Sequence, residues 1–216
     1  MRIELDHLFV CTEPGAPEAE RLIQFGLHEG TPNQHPGQGT ANRRFDFANA
    51  MIELLWVTDE NEVQNEMTKR TLLWERWYGR KGMACPFGIC LRPVNFQETE
   101  LPFPGWEYRP EYLPNPLCMQ IGDAGIEEPM WVYLSFMQRA QREQRFAEHP
   151  IGIREITGLI LTTPVPLRSH ASQTLVESGI LATRRGATFL LEVEFDANRQ
   201  KGSADFRPHL PFIFVF

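Results

Sequence analysis

Glu53 is the residue whose chain neighbours suit it least. It sits among Ile52, Leu54, Leu55 and Trp56. A carboxylate in so apolar a strand, once buried, must be paired, hydrogen-bonded or protonated. An acid in that condition beside a cleft is the usual mark of a functional site, so Glu53 is the candidate catalytic residue. The second candidate is the run His35-Pro36-Gly37-Gln38-Gly39-Thr40-Ala41-Asn42-Arg43-Arg44. Gly37 and Gly39 let the backbone approach a ligand closely, and such a turn can present successive N–H groups to an anion. His35, Gln38, Thr40, Asn42 and Arg44 are its candidate substrate-binding residues, the arginine as partner for a carboxylate or phosphate. The competing reading is a structural loop at a cleft rim, with Arg43 and Arg44 as one solvated and one ion-paired strand residue. The run lacks the strand-before, helix-after setting of a phosphate-binding loop, so no nucleotide cofactor is expected.

Other chemistry is poorly represented. No Gly-x-Ser-x-Gly elbow occurs, and Ser169-His170 reads as a helix cap, which argues against triad hydrolysis. Cys11, Cys85, Cys90 and Cys118 lack the paired spacing of a zinc site and are expected to be free thiols. Glu192 and Glu194 alternate with Leu191, Val193 and Phe195 as the wet face of a strand. Trp74, Trp77 and Tyr78 form a core stripe.

These groups need elements to place them. Residues 3–12 predict a strand with Ile3, Leu5, His7, Phe9 and Cys11 on one face and Leu8 and Val10 on the other. Residues 16–25 predict a helix stopped by Gly26, and residues 42–47 and 51–57 predict strands. A second helix is expected over 62–78, then strands over 86–94, 117–122 and 130–136 around a proline-rich passage. An exposed helix is expected over 138–148. The pattern then returns: a strand at 153–163, a helix at 169–178 stopped by Gly179, and strands at 180–184, 187–195 and 212–216. Strand–helix–strand–strand–strand appearing twice predicts an internal repeat. Its units are residues 1–60, a connecting helix and degenerate middle module over 61–150, and residues 151–216.

The net charge of −7 disfavours a nucleic-acid partner, and the apolar runs are too short to span a membrane. The first residues carry acids and a histidine where a signal peptide would carry an apolar run. They predict a cytoplasmic protein.

The first module resembles the βαβββ unit of the vicinal oxygen chelate superfamily, in its glyoxalase-like branch. The resemblance rests on Leu5-Asp6-His7-Leu8, the run from His35 to Asn42, and Met51-Ile52-Glu53-Leu54-Leu55. It implies an α+β fold of repeated βαβββ modules forming half-open, barrel-like mixed sheets around a cleft for a small molecule. It further implies that His7 and Glu53 are the first module's ligands to a divalent ion: Fe, Mn, Ni, Co or Zn. At the aligned positions the middle copy has Phe87 and Tyr133, neither a normal ligand for these ions, and the last copy has Thr157, a poor ligand, with Pro211 or, if its third strand is matched instead, Glu192. Three functions follow from this resemblance. One is a metal-dependent lyase, isomerase or dioxygenase with Glu53 as ligand or general base; the others are a metal-free protein that sequesters a small molecule and a vestigial cleft. An odd number of modules implies a partner module in a second copy, a homodimer.

Overall fold

The computed structural model describes residues 2–95, 101–139 and 146–216. The helix expected over 138–148 falls largely outside the described residues. The strands of the first part are β1 (Ile3–Cys11), β2 (Asn33–His35), β3 (Thr40–Asp46), β4 (Met51–Val57), β5 (Phe87–Pro93), β6 (Gly105–Tyr108), β7 (Met119–Gly122) and β8 (Met130–Tyr133). They form one eight-stranded sheet in the order β2-β3-β4-β1-β5-β8-β7-β6. The remaining strands are β9 (Ile156–Thr163), β10 (Leu181–Arg185), β11 (Leu190–Phe195), β12 (Ser203–Asp205) and β13 (Phe212–Val215). These form a second sheet, β10-β9-β11-β13-β12. Among the described residues they are accompanied by four short α-helices: α1 (Ala19–Phe25), α2 (Glu60–Val63), α3 (Leu73–Gly79) and α4 (His170–Glu177). The class is α+β with two mixed sheets, and neither sheet closes into a barrel among the described residues.

The antiparallel pair β1–β5 is the centre of the large sheet. On one side β1 runs parallel to β4, which is antiparallel to β3; on the other β5 runs parallel to β8, which is antiparallel to β7. The two halves thus pair in the same order. The C-terminal segment has the expected elements but pairs them differently. After α4 crosses over, β10 lies parallel beside β9, whereas the strand that follows α1, β2, lies at the sheet edge.

One face of the large sheet packs on the small sheet. Leu8, Val10, Phe45, Ile52, Phe87, Ile89 and Trp131 meet Leu161, Val193, Phe195, Phe212 and Phe214 in a single core. Phe47 lies 4.9 Å from Phe195 and Phe87 lies 5.7 Å from Phe212, centroid to centroid. The other face carries a smaller core of Phe9, Leu55, Leu73, Cys90, Tyr108 and Val132.

Two local expectations are corrected. Leu5 does not share a face with His7, Phe9 and Cys11; it joins Leu8 and Val10 in the large core. A bulge between Leu5 and His7 in the pairing with β5 inserts Asp6 as an extra residue, which reverses side-chain parity at that point. The helix expected over 62–78 is instead α2, a 3₁₀ turn at Lys69–Thr71, and α3. Leu72 adopts φ 57°, and the Asn65 side chain accepts from the N–H groups of Met67 and Thr68, so the helical path is interrupted twice. The helix stops hold: Gly26 takes φ 107° and Gly179 φ 75°. Ser169 caps α4 by accepting from the Ser172 N–H.

Candidate functional site

Register places the polar side chains of the free sheet face. Phe9 is paired with Glu53 on one side and Gly88 on the other; Arg44 pairs with Glu53, and Gly88 with Met130. One row across the sheet is therefore Arg44, Glu53, Phe9, Gly88, Met130. The next row runs His7, Cys90, Val132, Ile121, Trp106. Period-two alternation turns both rows to the same side. There Arg44, Glu53, Phe9 and Met130 of the first row and His7, Cys90 and Val132 of the second border a cavity of about 300 Å³, which Leu73, Tyr112, Leu113, Phe136 and Met137 also line. Gly88 is required here. A Cβ at that position would fall 2.0 Å from the Phe9 ring, which lies over it.

His7 and Glu53 both line this cavity. His7 is held from behind. Its Nδ1 is 2.6 Å from Asp6 Oδ1, and Asp6 Oδ2 accepts from Arg92 Nη1 at 2.9 Å. Arg92 is fully buried and also donates to Glu4 Oε1 and to the Asn49 carbonyl. The bulge is what brings Asp6 into reach of both partners. Burial opposes charge on the imidazole, but Cys90, Glu53 and Asp6 outweigh it and hold the His7 pKa well above 6.5. Cys90 shares a hydrogen bond with His7, and burial pushes its own pKa up, which keeps it a thiol. The charge that raises His7 near neutrality therefore comes from Glu53 and Asp6.

Glu53 differs from every other buried acid. It is 9% exposed and, among the described residues, makes no hydrogen bond and no ion pair. Arg44, its register neighbour, lines the cavity too, but its Nε leans toward Asp46 Oδ2 at 3.6 Å.

The loop residues separate into two groups. His35, Gln38 and Arg44 line the cavity; Thr40 and Asn42 are buried and do not. Asn42 Oδ1 accepts from the Asn33 N–H and braces the β2–β3 hairpin. Thr40 is part of a hydrogen-bonded chain that ends on His35. Gln38 Oε1 accepts from Tyr108 (3.1 Å) and Tyr112 (3.3 Å), so its amide nitrogen donates to Thr40 Oγ1 at 2.7 Å. Thr40 Oγ1, which keeps a second lone pair and its own proton, also lies 2.9 Å from His35 Nδ1, and either atom can be the donor. The imidazole is neutral because burial, with His7 and Arg44, lowers its pKa against the pull of Glu53. Tyr108 and Tyr112 remain phenols: burial raises the first to about 12 and the second well above its ordinary value.

Arg43 is tied to Glu29 and Glu20 outside the cavity. Thr157 bonds Glu194, and Glu192 pairs with Arg184, all four on the small sheet. Phe87 and Tyr133 point into the core between the sheets. The middle segment instead presents Gly88, Cys90, Met130 and Val132 on the cavity side, because alternation from the His7–Cys90 pair selects those positions. Sequence reasoning missed Cys90, Tyr108 and Tyr112. Cys90 was available from alternation in Phe-Gly-Ile-Cys-Leu; the tyrosines come from a proline-rich passage with no periodicity.

His7 and Glu53 supply an imidazole and a carboxylate on the cavity wall; the other donors there are the Cys90 thiol and His35, whose Nδ1 is 2.9 Å from Thr40 Oγ1, with the apolar Met130 and Val132 opposite. Among the described residues no group of three or more His, Cys, Asp or Glu side chains is arranged to hold a metal ion. No described helix is long and apolar enough to cross a membrane. All four cysteines are free.

No family model matches the chain, and no curated protein matches it. Among solved structures it is similar to a hypothetical protein from Staphylococcus aureus, at 13% identity over 99% of each chain with a TM-score of 0.49.

Proposed function

We propose that this chain is a glyoxalase-like small-molecule protein that works without a resident metal. Its cavity takes a compact ligand, apolar over most of its surface and polar at one end. Phe9, Leu55, Met51, Met119, Met130 and Val132 meet the apolar part. The polar end meets Glu53, which accepts a proton donor, and His35, which in its Nε2–H form donates to an oxygen.

The observation that carries this reading is the unpartnered Glu53 carboxylate facing a small-molecule-sized cavity. A buried charge without a partner is costly unless something arrives to satisfy it. The same group is a general base wherever a ligand places an acidic hydrogen within reach. Lyase and isomerase chemistry needs such a base and a neutral donor for the developing oxyanion, as His35 supplies. Sequestration of the ligand needs only the binding half of that description.

The test is a panel of small aromatic and carbonyl ligands screened by thermal shift, with affinities from calorimetry. Wild type should give a saturable rise, and Glu53→Gln and His35→Leu should weaken it at least tenfold. A panel bound equally by all three proteins would overturn the reading. Metal analysis of untagged protein separates the second reading, which the Asp6-held His7 favours because metal-bound imidazoles are commonly braced this way. Near-stoichiometric metal would replace the metal-free proposal.

A further inference from the structure

Met130 borders a second cleft of about 230 Å³, whose lining includes Arg70, Arg76, Trp106, Gly122 and Asp123. Arg76, on α3, is only 2% exposed. Its Nη1 donates to the carbonyls of Cys85 (2.5 Å) and Glu128 (2.7 Å), while its buried Nε has no partner. Among the described residues no carboxylate lies within ion-pairing distance of it. The nearest candidate by sequence, Glu128, is already committed: it accepts from the Arg168 and Ser169 N–H groups, the Ser169 hydroxyl and Trp131 Nε1. Glu127 acts on Arg76 only at a distance. A guanidinium buried on these terms carries an uncompensated charge.

Arg70 stands at the rim. Its guanidinium lies over the Trp106 ring, 4.4 Å from the centroid, and is 3.8 Å from Asp123 Oδ1. The ring contact holds it in place, and the Asp123 pair is solvent-exposed and weak. Two guanidinium groups, one buried and unneutralised and one held at the entrance, therefore border one small polar hollow. Their planar forks match the oxygen spacing of a carboxylate or phosphate.

We propose that this cleft is a binding site for a small oxyanion, a carboxylate or a phosphate, with Arg76 as the buried counter-charge and Arg70 as the rim clamp. The site is separate from the Glu53 cavity and does not depend on the function proposed for it. Arg76's two carbonyl bonds also fasten α3 to the chain around Cys85 and Glu128. The alternative is therefore that it is a fastening alone.

The experiment is calorimetric titration of the intact protein with inorganic phosphate and with acetate, at ionic strength held constant with chloride. At least one of the two should bind saturably, and which one does identifies the anion. Arg70→Ala, at an exposed position, should fold as wild type and bind at least tenfold more weakly. Arg76→Lys keeps the charge, loses the fork and should weaken binding likewise. Absence of saturable binding by either anion, or unchanged affinity in Arg70→Ala, would overturn the proposal. Should Arg76→Lys prove unfolded, Arg70→Ala alone decides it.

Discussion

His7 and Glu53 stand on adjacent parallel strands and face one cavity, but only the imidazole is held by a partner behind it. The carboxylate acts on the imidazole through space and raises its pKa, while no hydrogen bond or ion pair holds the carboxylate itself among the described residues.

Replacing Glu53 tests that directly. Glu53→Gln relieves the burial cost of the carboxylate and also removes its favourable action on His7, so the two effects oppose and stability should stay within about 1 kcal/mol of wild type. Urea unfolding measures this. A loss of more than about 1 kcal/mol would mean that the carboxylate supports the fold.

The His7 pKa stands above its ordinary value of 6.5 because of Cys90, Glu53 and Asp6. A raised folded-state value stabilises the protein fully below 6.5, and that stabilisation is lost as pH climbs through the folded-state value. Histidine NMR titration should find His7 still charged near neutrality. The same titration of Glu53→Gln should bring its pKa down; an unmoved value would separate the two groups.

Arg92 and Asp6 are both completely buried, and Arg92 also serves Glu4 and Asn49. Arg92→Met leaves Asp6 with the His7 imidazole but without its buried guanidinium partner, and should cost about 3–5 kcal/mol. Chemical denaturation checks the figure. A second readout is His7, whose environment should shift with the loss, since its Nδ1 partner is Asp6.

His149 behaves in the opposite sense to His7. Burial, with His28 beside it, lowers its pKa to about 4. Its contribution to stability is present above the ordinary value of 6.5 and is lost as pH falls from there toward 4. Stability measured from pH 7 to pH 4 should therefore decline, and His149→Gln should flatten part of that decline.

Gly88 sits beneath the Phe9 ring. Gly88→Ala should push the ring into the cavity, lower stability by about 1–3 kcal/mol and weaken ligand binding together. Affinity retained at wild-type strength would show that the ring can move aside without narrowing the cavity.

Much of this could be read along the chain. The apolar flanks of Glu53 marked it as an exceptional acid, Gly26 and Gly179 ended their helices, and period-two stretches such as residues 187–195 placed strands. Those features depend on neighbours within a few positions, where side-chain spacing and backbone preference act directly. Three features did not follow from local pattern. A bulge at Asp6 moved Leu5 to the opposite face, and Leu72 with Asn65 broke a helix whose apolar stripe looked continuous. Thr40 and Asn42, chosen with His35 and Gln38 for one loop, turned out to stand behind the cavity wall.

The rest was decided by register between segments far apart in the chain. Pairing of His7 with Cys90 and of Phe9 with Glu53 brings together residues dozens of positions apart. Tyr108 and Tyr112 reach Gln38 across about seventy. Sequence alone determined which groups were chemically unusual; tertiary structure decided which were left without partners. Partnership is set by strand register and by the single residue inserted at a bulge, and neither leaves a periodic trace in composition.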